Sequence, residues 1–313
     1  MVSGKVVIQG NGEKTTQGMT LKFEGNVRVH WTVRKTERGT GSGSDRTVTH
    51  NYNDWQRIFE FQNYLLGDGR SDVEIPAGES SYPFSFQLPP MNLPSSYMGI
   101  YGKVEYLLEA NVIRSWKFDY NTKQYITVNG LVDLNNYPQA AEPGECETSK
   151  TFCCWCCATG PLCMTVRLKK RGFVPGEMVP LEVEVNNLSN RGVSDISAEL
   201  VQEASFFAQG ARNYSVRPVI SVKRGKGVDP GDRDIWRLEM VVPFVPPTNL
   251  GGCRLIDVQY VLMGEIHVSG VAFNLRLSCP VMIGTIPFRA KVESTGYRDD
   301  PNCSTHVYPK WLP

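Results

Sequence analysis

Residues 27 to 33 read Val27-Arg-Val-His-Trp-Thr-Val33, and apolar and polar side chains alternate along the whole stretch. Successive residues of a β-strand point to opposite faces, so this period of two predicts a strand with one buried and one exposed face. Turn residues separate further stretches of this kind, which include Val104-Glu-Tyr-Leu-Leu108, Leu181-Glu-Val-Glu-Val185 and Leu255-Ile-Asp-Val-Gln-Tyr-Val-Leu262. Long helical periods are missing. The pattern therefore predicts an all-β fold of antiparallel sheets packed as sandwiches.

One stretch also fits a helix. Residues 54–66 begin with Asp54, a good N-cap residue, and carry apolar side chains at helical spacing. Phe59, Phe61 and Leu65, however, also alternate as they would along a strand. We predict extended structure for this stretch.

Length and charge narrow the class of protein. The chain has 313 residues, and at about 150 residues per domain this length favours two domains. Lys and Arg number 33 against 32 Asp and Glu, so the net charge provides no general attraction to nucleic acid or to an anionic membrane. No window approaches the roughly 20 consecutive apolar residues of a membrane span, and the N-terminus lacks a signal-peptide pattern. We expect a cytosolic protein that meets charged partners through local patches, with peripheral membrane association at most.

A connector divides the chain. Asn135-Asn-Tyr-Pro-Gln-Ala-Ala-Glu-Pro-Gly144 contains Pro and Gly residues that a central strand would not tolerate. We therefore predict a first domain over residues 1–136, a connector over 137–160, a second domain over 161–290 and a short tail over 291–313.

Cysteines crowd beside this connector. Six of the nine lie between Cys146 and Cys163, and Cys153/Cys156 and Cys154/Cys157 each form a Cys-x-x-Cys pair. Cys146, Cys154, Cys157 and Cys163 are the candidate zinc ligands. The two pairs overlap, and adjacent thiols on a strand point to opposite faces, which weakens the metal signal. Three interpretations of the cluster remain open: a cysteine-rich apolar strand, a metal- or redox-responsive module, or acylation of exposed thiols. The sequence indicates no cofactor other than zinc.

The sequence contains no pattern typical of an enzyme. It has no Gly-rich phosphate loop ahead of a helix, no Gly-x-Ser-x-Gly elbow and no His-Glu-x-x-His. His30 and His267 lie within alternating stretches, where a solvent-facing or hydrogen-bonded histidine is the simpler interpretation. We therefore expect no enzymatic activity and assign no catalytic residue.

Several unusual strings occur in one order across almost the whole chain and resemble the α-arrestins, or arrestin domain-containing proteins. The first half contains Val2-Ser-Gly-Lys-Val6, Gly25-Asn-Val-Arg-Val-His-Trp31, Ile75-Pro-Ala-Gly78, Tyr82-Pro-Phe-Ser-Phe-Gln-Leu-Pro89 and Leu93-Pro-Ser-Ser-Tyr-Met-Gly99. The second half contains Gly172-Phe-Val-Pro-Gly-Glu177, Asp257-Val-Gln-Tyr-Val-Leu262 and Ile283-Gly-Thr-Ile-Pro287. Pro175-Gly176-Glu177 fits a tight turn that leads into a strand, and Ile75-Pro-Ala-Gly78 occupies the matching place in the first domain.

This resemblance implies two arrestin-like, immunoglobulin-like β-sandwiches in tandem and the function of an adaptor. Such a protein would bind the cytosolic tails of membrane receptors or transporters, and would promote their ubiquitination, endocytosis and endosomal sorting. It would be recruited from the cytoplasm to the plasma membrane and endosomes. The resemblance also implies other arrestins as partners and, through indirect contact, the endocytic and ubiquitination machinery.

The sequence departs from the family pattern at both ends. Family members usually carry a strand before the Val-Ser-Gly string, so the first domain is expected to lack its usual first strand. Many also carry Pro-Pro-x-Tyr motifs, which dock on WW domains of ubiquitin ligases. Here Asn92 and Asn249 stand at the Tyr position after the two Pro-Pro pairs. We therefore expect any recruitment of ligases to be indirect.

Basic residues are the candidate cargo- or membrane-binding site. Arrestin-like proteins meet acidic or phosphorylated tails and anionic lipid, a chemistry that suits Lys and Arg side chains. The candidates flank Trp116 in the first domain and follow the cysteines in the second: Arg114, Lys117, Arg167, Lys169, Lys170 and Arg171. A solvated strand face is the alternative interpretation of these charges.

Overall fold

The protein is all-β, as predicted. The structure is a computed structural model that describes residues 1–37, 46–114, 119–152, 160–270 and 274–289. The predicted tail, 291–313, lies outside these ranges. The strands are β1 (Val2–Gly10), β2 (Lys14–Thr16), β3 (Gly18–Glu37), β4 (Arg46–Gly67), β5 (Val73–Ile75), β6 (Gly78–Phe86), β7 (Tyr97–Met98), β8 (Gly102–Ile113), β9 (Tyr120–Ile126), β10 (Gly144–Lys150), β11 (Leu162–Leu168), β12 (Gly172–Phe173), β13 (Met178–Asn187), β14 (Val193–Ala208), β15 (Ala211–Arg224), β16 (Arg233–Val241), β17 (Ile256–Val268) and β18 (Leu275–Ile283).

The first half of the chain folds around a sheet in which β3 lies between β4 and β8. Both β7 and β9 pair with β8, while β1 pairs with β6 and β2 with β5. The stretch 54–66 lies within β4, so the prediction of extended structure is confirmed. Inward-facing aromatic rings join the layers, because Phe23 of β3 packs 5.0 Å from Phe59 of β4 and 5.6 Å from Phe86 of β6 between ring centroids. Such ring pairs favour one relative placement of the layers.

The second half consists of two sheets with the strand orders β10-β11-β13-β16 and β12-β18-β17-β14-β15. The alternation of the sequence is visible in their burial. In β13, Val179, Leu181, Val183 and Val185 are buried, and the residues between them reach the surface. The range 137–160 was predicted as a connector. It contains a short helix, α1 (Pro138–Ala141), and the strand β10. Strand β10 joins the second sandwich because it pairs along its length with β11.

In both halves of the chain, a turn that contains a glycine with positive φ lies at the start of a strand. Gly78 begins β6 with φ of 91°, and Gly176 precedes β13 with φ of 85°. Glycine adopts this left-handed conformation without the steric cost that a Cβ atom brings. In the second half the Glu177 backbone N–H donates to the Val174 carbonyl at 3.0 Å, which closes the predicted tight turn.

A buried tyrosine also recurs in each half. The Tyr106 hydroxyl donates to the Pro94 carbonyl at 2.6 Å, and the Tyr260 hydroxyl donates to the Pro246 carbonyl at 2.6 Å. Burial raises the pKa of both phenols, so each remains a neutral donor. The repeated turn and the repeated tyrosine indicate that the two sandwiches are built in related ways.

The two sandwiches are joined along one continuous core. Phe206 of β14 is fully buried, and its ring lies 5.6 Å from that of Tyr101 and 6.4 Å from that of Tyr97 in the first sandwich. Gln56 of β4 donates to the Gly252 carbonyl at 2.7 Å and accepts from the Arg254 N–H at 2.9 Å. These contacts hold the sandwiches side by side.

The chain enters and leaves the second sandwich at one place, which we call the joint: residues 132–136 and 284–289. Asp133 and Ile286 form a parallel β-bridge. The Thr285 N–H donates to the Val132 carbonyl at 2.8 Å, and the Arg289 N–H donates to the Asn135 side-chain oxygen at 3.0 Å. A short 3₁₀ helix, Leu134–Asn136, lies within the joint and is capped by the Asp133 carboxylate.

Candidate functional site

A group of surface charges on the first sandwich lies on the outer side of the sheet β4-β3-β8-β9. It follows from the alternation of β3, where Leu21, Phe23, Val27 and Val29 turn inward and the residues between them turn outward. Charged side chains of neighbouring strands join this row. We call the whole set the charged face: Lys22, Glu24, Asn26, Arg28 and His30 of β3, Asn53, Trp55, Arg57 and Glu60 of β4, Lys103, Glu105 and Glu109 of β8, and Lys123 of β9.

The cations of the charged face are as exposed as, or more exposed than, the carboxylates they pair with. The Arg28 side chain is 60% exposed and lies 4.0 Å from Glu105, which is 13% exposed. Lys103 is 35% exposed and lies 2.7 Å from the same glutamate. Lys123 is 50% exposed and pairs at 3.2 Å with Glu109, which is 26% exposed. Because the positive ends reach further into solvent, this face favours an anionic partner.

A groove of about 550 Å³ crosses this face, and its lining includes Arg28, His30, Asn53 and Trp55. Trp55 stands opposite Arg28 in the register of β3 and β4 and is 59% exposed. The Arg57 guanidinium lies 5.5 Å from the centre of the Trp55 ring. An exposed aromatic ring beside a guanidinium group offers both apolar contact and charge to an extended ligand.

Glu24 forms the floor of the charged face. Its burial alone would raise the pKa of the carboxyl, but hydrogen bonds from Lys22 and Asn26 and the charges of Lys22 and Arg28 outweigh burial and lower it. The hydrogen bond with Glu24 in turn raises the pKa of Lys22. The pair lies 2.6 Å apart, nitrogen to oxygen. Both groups therefore keep their charge at neutral pH.

The predicted basic residues of the second sandwich follow a different arrangement. Arg167 of β11 lies 2.7 Å from Glu184, 3.3 Å from Glu145 and 3.7 Å from Glu182, nitrogen to oxygen. Its charge is therefore balanced within the sheet surface. Lys169 is exposed. An anion could reach Lys169 freely, whereas it would compete with three carboxylates for Arg167.

The next two basic residues have other surroundings, and only Lys170 contacts the joint. Lys170 forms an ion pair with Glu177, and its ammonium lies 5.2 Å from the ring centres of Phe173 and Phe288. The Arg171 side chain donates to the Pro143 carbonyl at 3.4 Å. Arg167 thus lies on a sheet surface, Lys170 against the joint and Arg171 beside Pro143, so these basic neighbours do not form one patch.

Arg114 follows β8 in the first sandwich. Its guanidinium carbon lies 3.7 Å from the centre of the Tyr120 ring, and its backbone N–H donates to the Asp119 carboxylate at 3.0 Å. Lys117 lies outside the described residues. The binding role of the six basic residues remains a prediction.

The proposed zinc site is not supported by the described cysteines. Cys163 stands opposite Ser149 in the register of β10 and β11, whereas Cys146 stands opposite Val166. Cys146 and Ser149 are three residues apart on one strand, so their side chains, and therefore those of Cys146 and Cys163, point to opposite faces of the sheet. These two thiolates cannot complete one tetrahedral site. Cys154 and Cys157 lie outside the described residues, and the rest of the described chain contains no group of three potential metal ligands.

The sequence contains a signal for the charged face, although a search for runs of basic residues does not detect it. Lys22, Glu24, Arg28 and His30 occupy alternate positions of one strand, opposite the apolar residues. Charges spaced by two on a strand share a face, even though they form no run along the chain.

No helix within the described ranges has the length and apolar character to cross a membrane.

Comparison with known proteins agrees with this architecture. Residues 1–135 match the family model described as the N-terminal domain of arrestin (or S-antigen), and residues 158–288 match the model of its C-terminal domain. The chain is 30% identical to Arrestin domain-containing protein 17 of Caenorhabditis elegans, over 99% of this chain and 74% of that protein. It is 30% identical to mouse Arrestin domain-containing protein 4, over 92% of this chain and 68% of that protein. Mouse Arrestin domain-containing protein 1 is 30% identical over 68% of this chain and 48% of its own length. With two arrestin-like sandwiches in tandem and relatives of this kind along nearly its whole length, the chain belongs to the α-arrestins, a family of arrestin-type adaptors.

Proposed function

We propose that this protein is a cytosolic adaptor that binds the cytosolic tails of membrane receptors or transporters on its charged face. The observation that carries the proposal is the outward placement of Arg28, Arg57 and Lys123, whose side chains are 60%, 51% and 50% exposed, above more buried carboxylates. An acidic or phosphorylated peptide can approach these cations without displacing a buried ion pair. The exposed Trp55 ring supplies apolar contact at the same place.

In this proposal the protein works by binding alone. One surface holds the cargo tail, and other surfaces bring machinery for ubiquitination, endocytosis and endosomal sorting to the plasma membrane and endosomes. Neither Pro-Pro pair in the 313 residues continues as Pro-Pro-x-Tyr. In this proposal, another arrestin is one of the partners that would bring ubiquitin ligases.

Proximity labelling in cells tests the proposal. The double charge reversal Arg28→Glu with Arg57→Glu should remove membrane receptors or transporters from the labelled set, while wild type retains them. Arg224→Glu is the matched control, because Arg224 is an exposed cation on β15 of the second sandwich. Peptides from the cargo tails, measured by fluorescence anisotropy, should bind the double variant about tenfold more weakly or worse.

The competing basic candidates are tested in the same assay. Lys169→Glu with Lys170→Glu should leave cargo labelling unchanged if the charged face is the binding site. If the Lys169/Lys170 variant loses cargo labelling and the Arg28/Arg57 variant keeps it, the cargo-binding site lies on the second sandwich and not on the charged face. Absence of membrane and endosomal proteins from the wild-type set would reject the adaptor function itself.

A further inference from the structure

Two cysteines that are far apart in the sequence meet between the sheets of the second sandwich. Cys146 lies on β10 and Cys279 on β18, which belong to opposite sheets. The two strands approach until Cα atoms lie within 8 Å of each other. The Cys146 side chain packs against the core cluster that contains Cys279, and the two thiols lie close enough for Cys146 to raise the pKa of Cys279. Both are free thiols.

The surroundings give the two thiols different access to solvent. Cys279 is 2% exposed, whereas Cys146 is half-buried at the edge of the sheet. Burial, together with the contact with Cys146, raises the pKa of Cys279, although the Arg171 guanidinium nearby opposes this. Cys279 is therefore a protonated thiol at neutral pH in the reduced protein.

We infer that Cys146 and Cys279 form a reversible disulfide when the protein meets a peroxide. The Cys146 thiolate attacks one oxygen of hydrogen peroxide, the O–O bond breaks, and Cys146 becomes a sulfenic acid as hydroxide leaves and takes up a proton. The Cys279 sulfur then attacks the sulfenic sulfur, the S–S bond forms, and a second water leaves with the Cys279 proton. Two thiols and one peroxide give one disulfide and two waters, so the electrons balance.

This pair differs from the cysteine cluster around residues 146–163. Its second member lies in β18, and Cys163 faces the opposite side of the β10/β11 ladder. The bond would act on β10, which among the described strands pairs only with β11. Strand β10 begins three residues after helix α1, beside the joint. The disulfide would therefore fasten an edge strand at the entrance of the second sandwich to an inner strand of the opposite sheet.

Peptide mapping under non-reducing conditions tests the inference. The intact protein is treated with hydrogen peroxide, free thiols are alkylated, and disulfide-linked peptides are identified by mass spectrometry. We expect a linked peptide that contains Cys146 and Cys279 in most molecules, and its loss after treatment with dithiothreitol. Hydrogen exchange at the β10 amides should slow by about tenfold or more in the oxidised protein.

Three variants make the outcome decisive. Cys146→Ser and Cys279→Ala should each abolish the linked peptide and the slower exchange, while the matched control Cys163→Ser should retain both. Cys146→Ser changes a half-buried side chain, so it keeps the test valid if Cys279→Ala fails to fold. A stable sulfenic acid at Cys146 without a link, or a link from Cys146 to any other cysteine, would overturn the inference.

Discussion

Glu24 illustrates how a single residue supports the charged face. It is the least exposed carboxylate of this surface, with 10% of its side chain exposed, and it lies 2.6 Å from Lys22. The ionised form is favoured in the folded protein because Lys22 and Asn26 donate hydrogen bonds to it, which overcome the effect of burial and lower its pKa below 4.5. Its charge therefore contributes to stability as well as to the orientation of the neighbouring cations.

Replacing Glu24 by Gln should destabilise the protein at pH 7 by about 1 kcal/mol, because the charge-assisted hydrogen bonds are lost. A lowered carboxyl pKa stabilises the folded state above the unfolded value of about 4.5, and this contribution fades as the pH falls through the folded value. The difference between wild type and Glu24→Gln, measured by urea unfolding, should therefore shrink below pH 4.5. Glu60→Gln, at a side chain that is 30% exposed, should have a smaller effect. A difference that stays constant from pH 7 to pH 3 would contradict this role.

At the scale of single residues, the sequence predicts the orientation of a side chain where that orientation depends only on the residue's own strand. The alternation in residues 27–33 predicted which side chains of β3 face the core. It did not predict that Arg167 would meet three glutamates or that Cys146 would meet Cys279, because those contacts depend on which strands lie side by side. Cys146 and Cys279 are separated by most of the second sandwich, and periodicity within a strand carries no information about such pairs.

Among the elements, the turn before β13 allows a clear test of backbone conformation. Gly176 has φ of 85°, and a Cβ atom built there would meet nothing within 4 Å. Any cost of a larger residue is therefore backbone strain and not collision.

Gly176→Ala should cost about 1 to 2 kcal/mol, because an alanine is strained in the left-handed region. Gly176→Asn should cost less, since asparagine tolerates this region better. Gly12→Ala is the control, because Gly12 has open space around it and no positive φ. Equal stability of Gly176→Ala and wild type in thermal unfolding would show that the turn relaxes to another conformation.

Strand identity was the most predictable property at the scale of elements. The stretch 54–66 was ambiguous in the sequence, and its pairing with β3 selects the extended form, because β3 offers backbone partners along this stretch apart from bulges at Ile58 and Leu65. The role of β10 was less predictable. Its residues, Gly-Glu-Cys-Glu-Thr-Ser-Lys, are mostly polar and resemble a connector, and only the register with β11 makes them a strand.

At the scale of the whole molecule, the contacts between the sandwiches should make unfolding cooperative. Phe206 lies fully buried against Tyr97 and Tyr101, and Gln56 binds the backbone at Gly252 and Arg254. Neither contact is visible in the sequence, because each joins residues from different domains.

Calorimetry of Phe206→Ala with Gln56→Ala should separate one unfolding transition into two. Phe→Ala in a packed core costs about 3 to 5 kcal/mol, and the loss of two hydrogen bonds adds about 1 to 3 kcal/mol. Gln62→Ala is the matched control, since Gln62 is an exposed glutamine on the same strand. A single transition in the double variant, at the temperature of the control, would mean that the sandwiches are coupled elsewhere.

The joint has a consequence for anything attached after it. Because Asp133 and Ile286 form a β-bridge, the segment that leads into the second sandwich and the segment that leads out of it lie next to each other. Any polypeptide that continues beyond Arg289 therefore starts between the two sandwiches and not at a distal tip. A partner tethered there would stand at a high effective concentration toward the surfaces of both domains at once. The same geometry makes circular permutation of the second sandwich feasible, since its ends could be linked directly by a few residues.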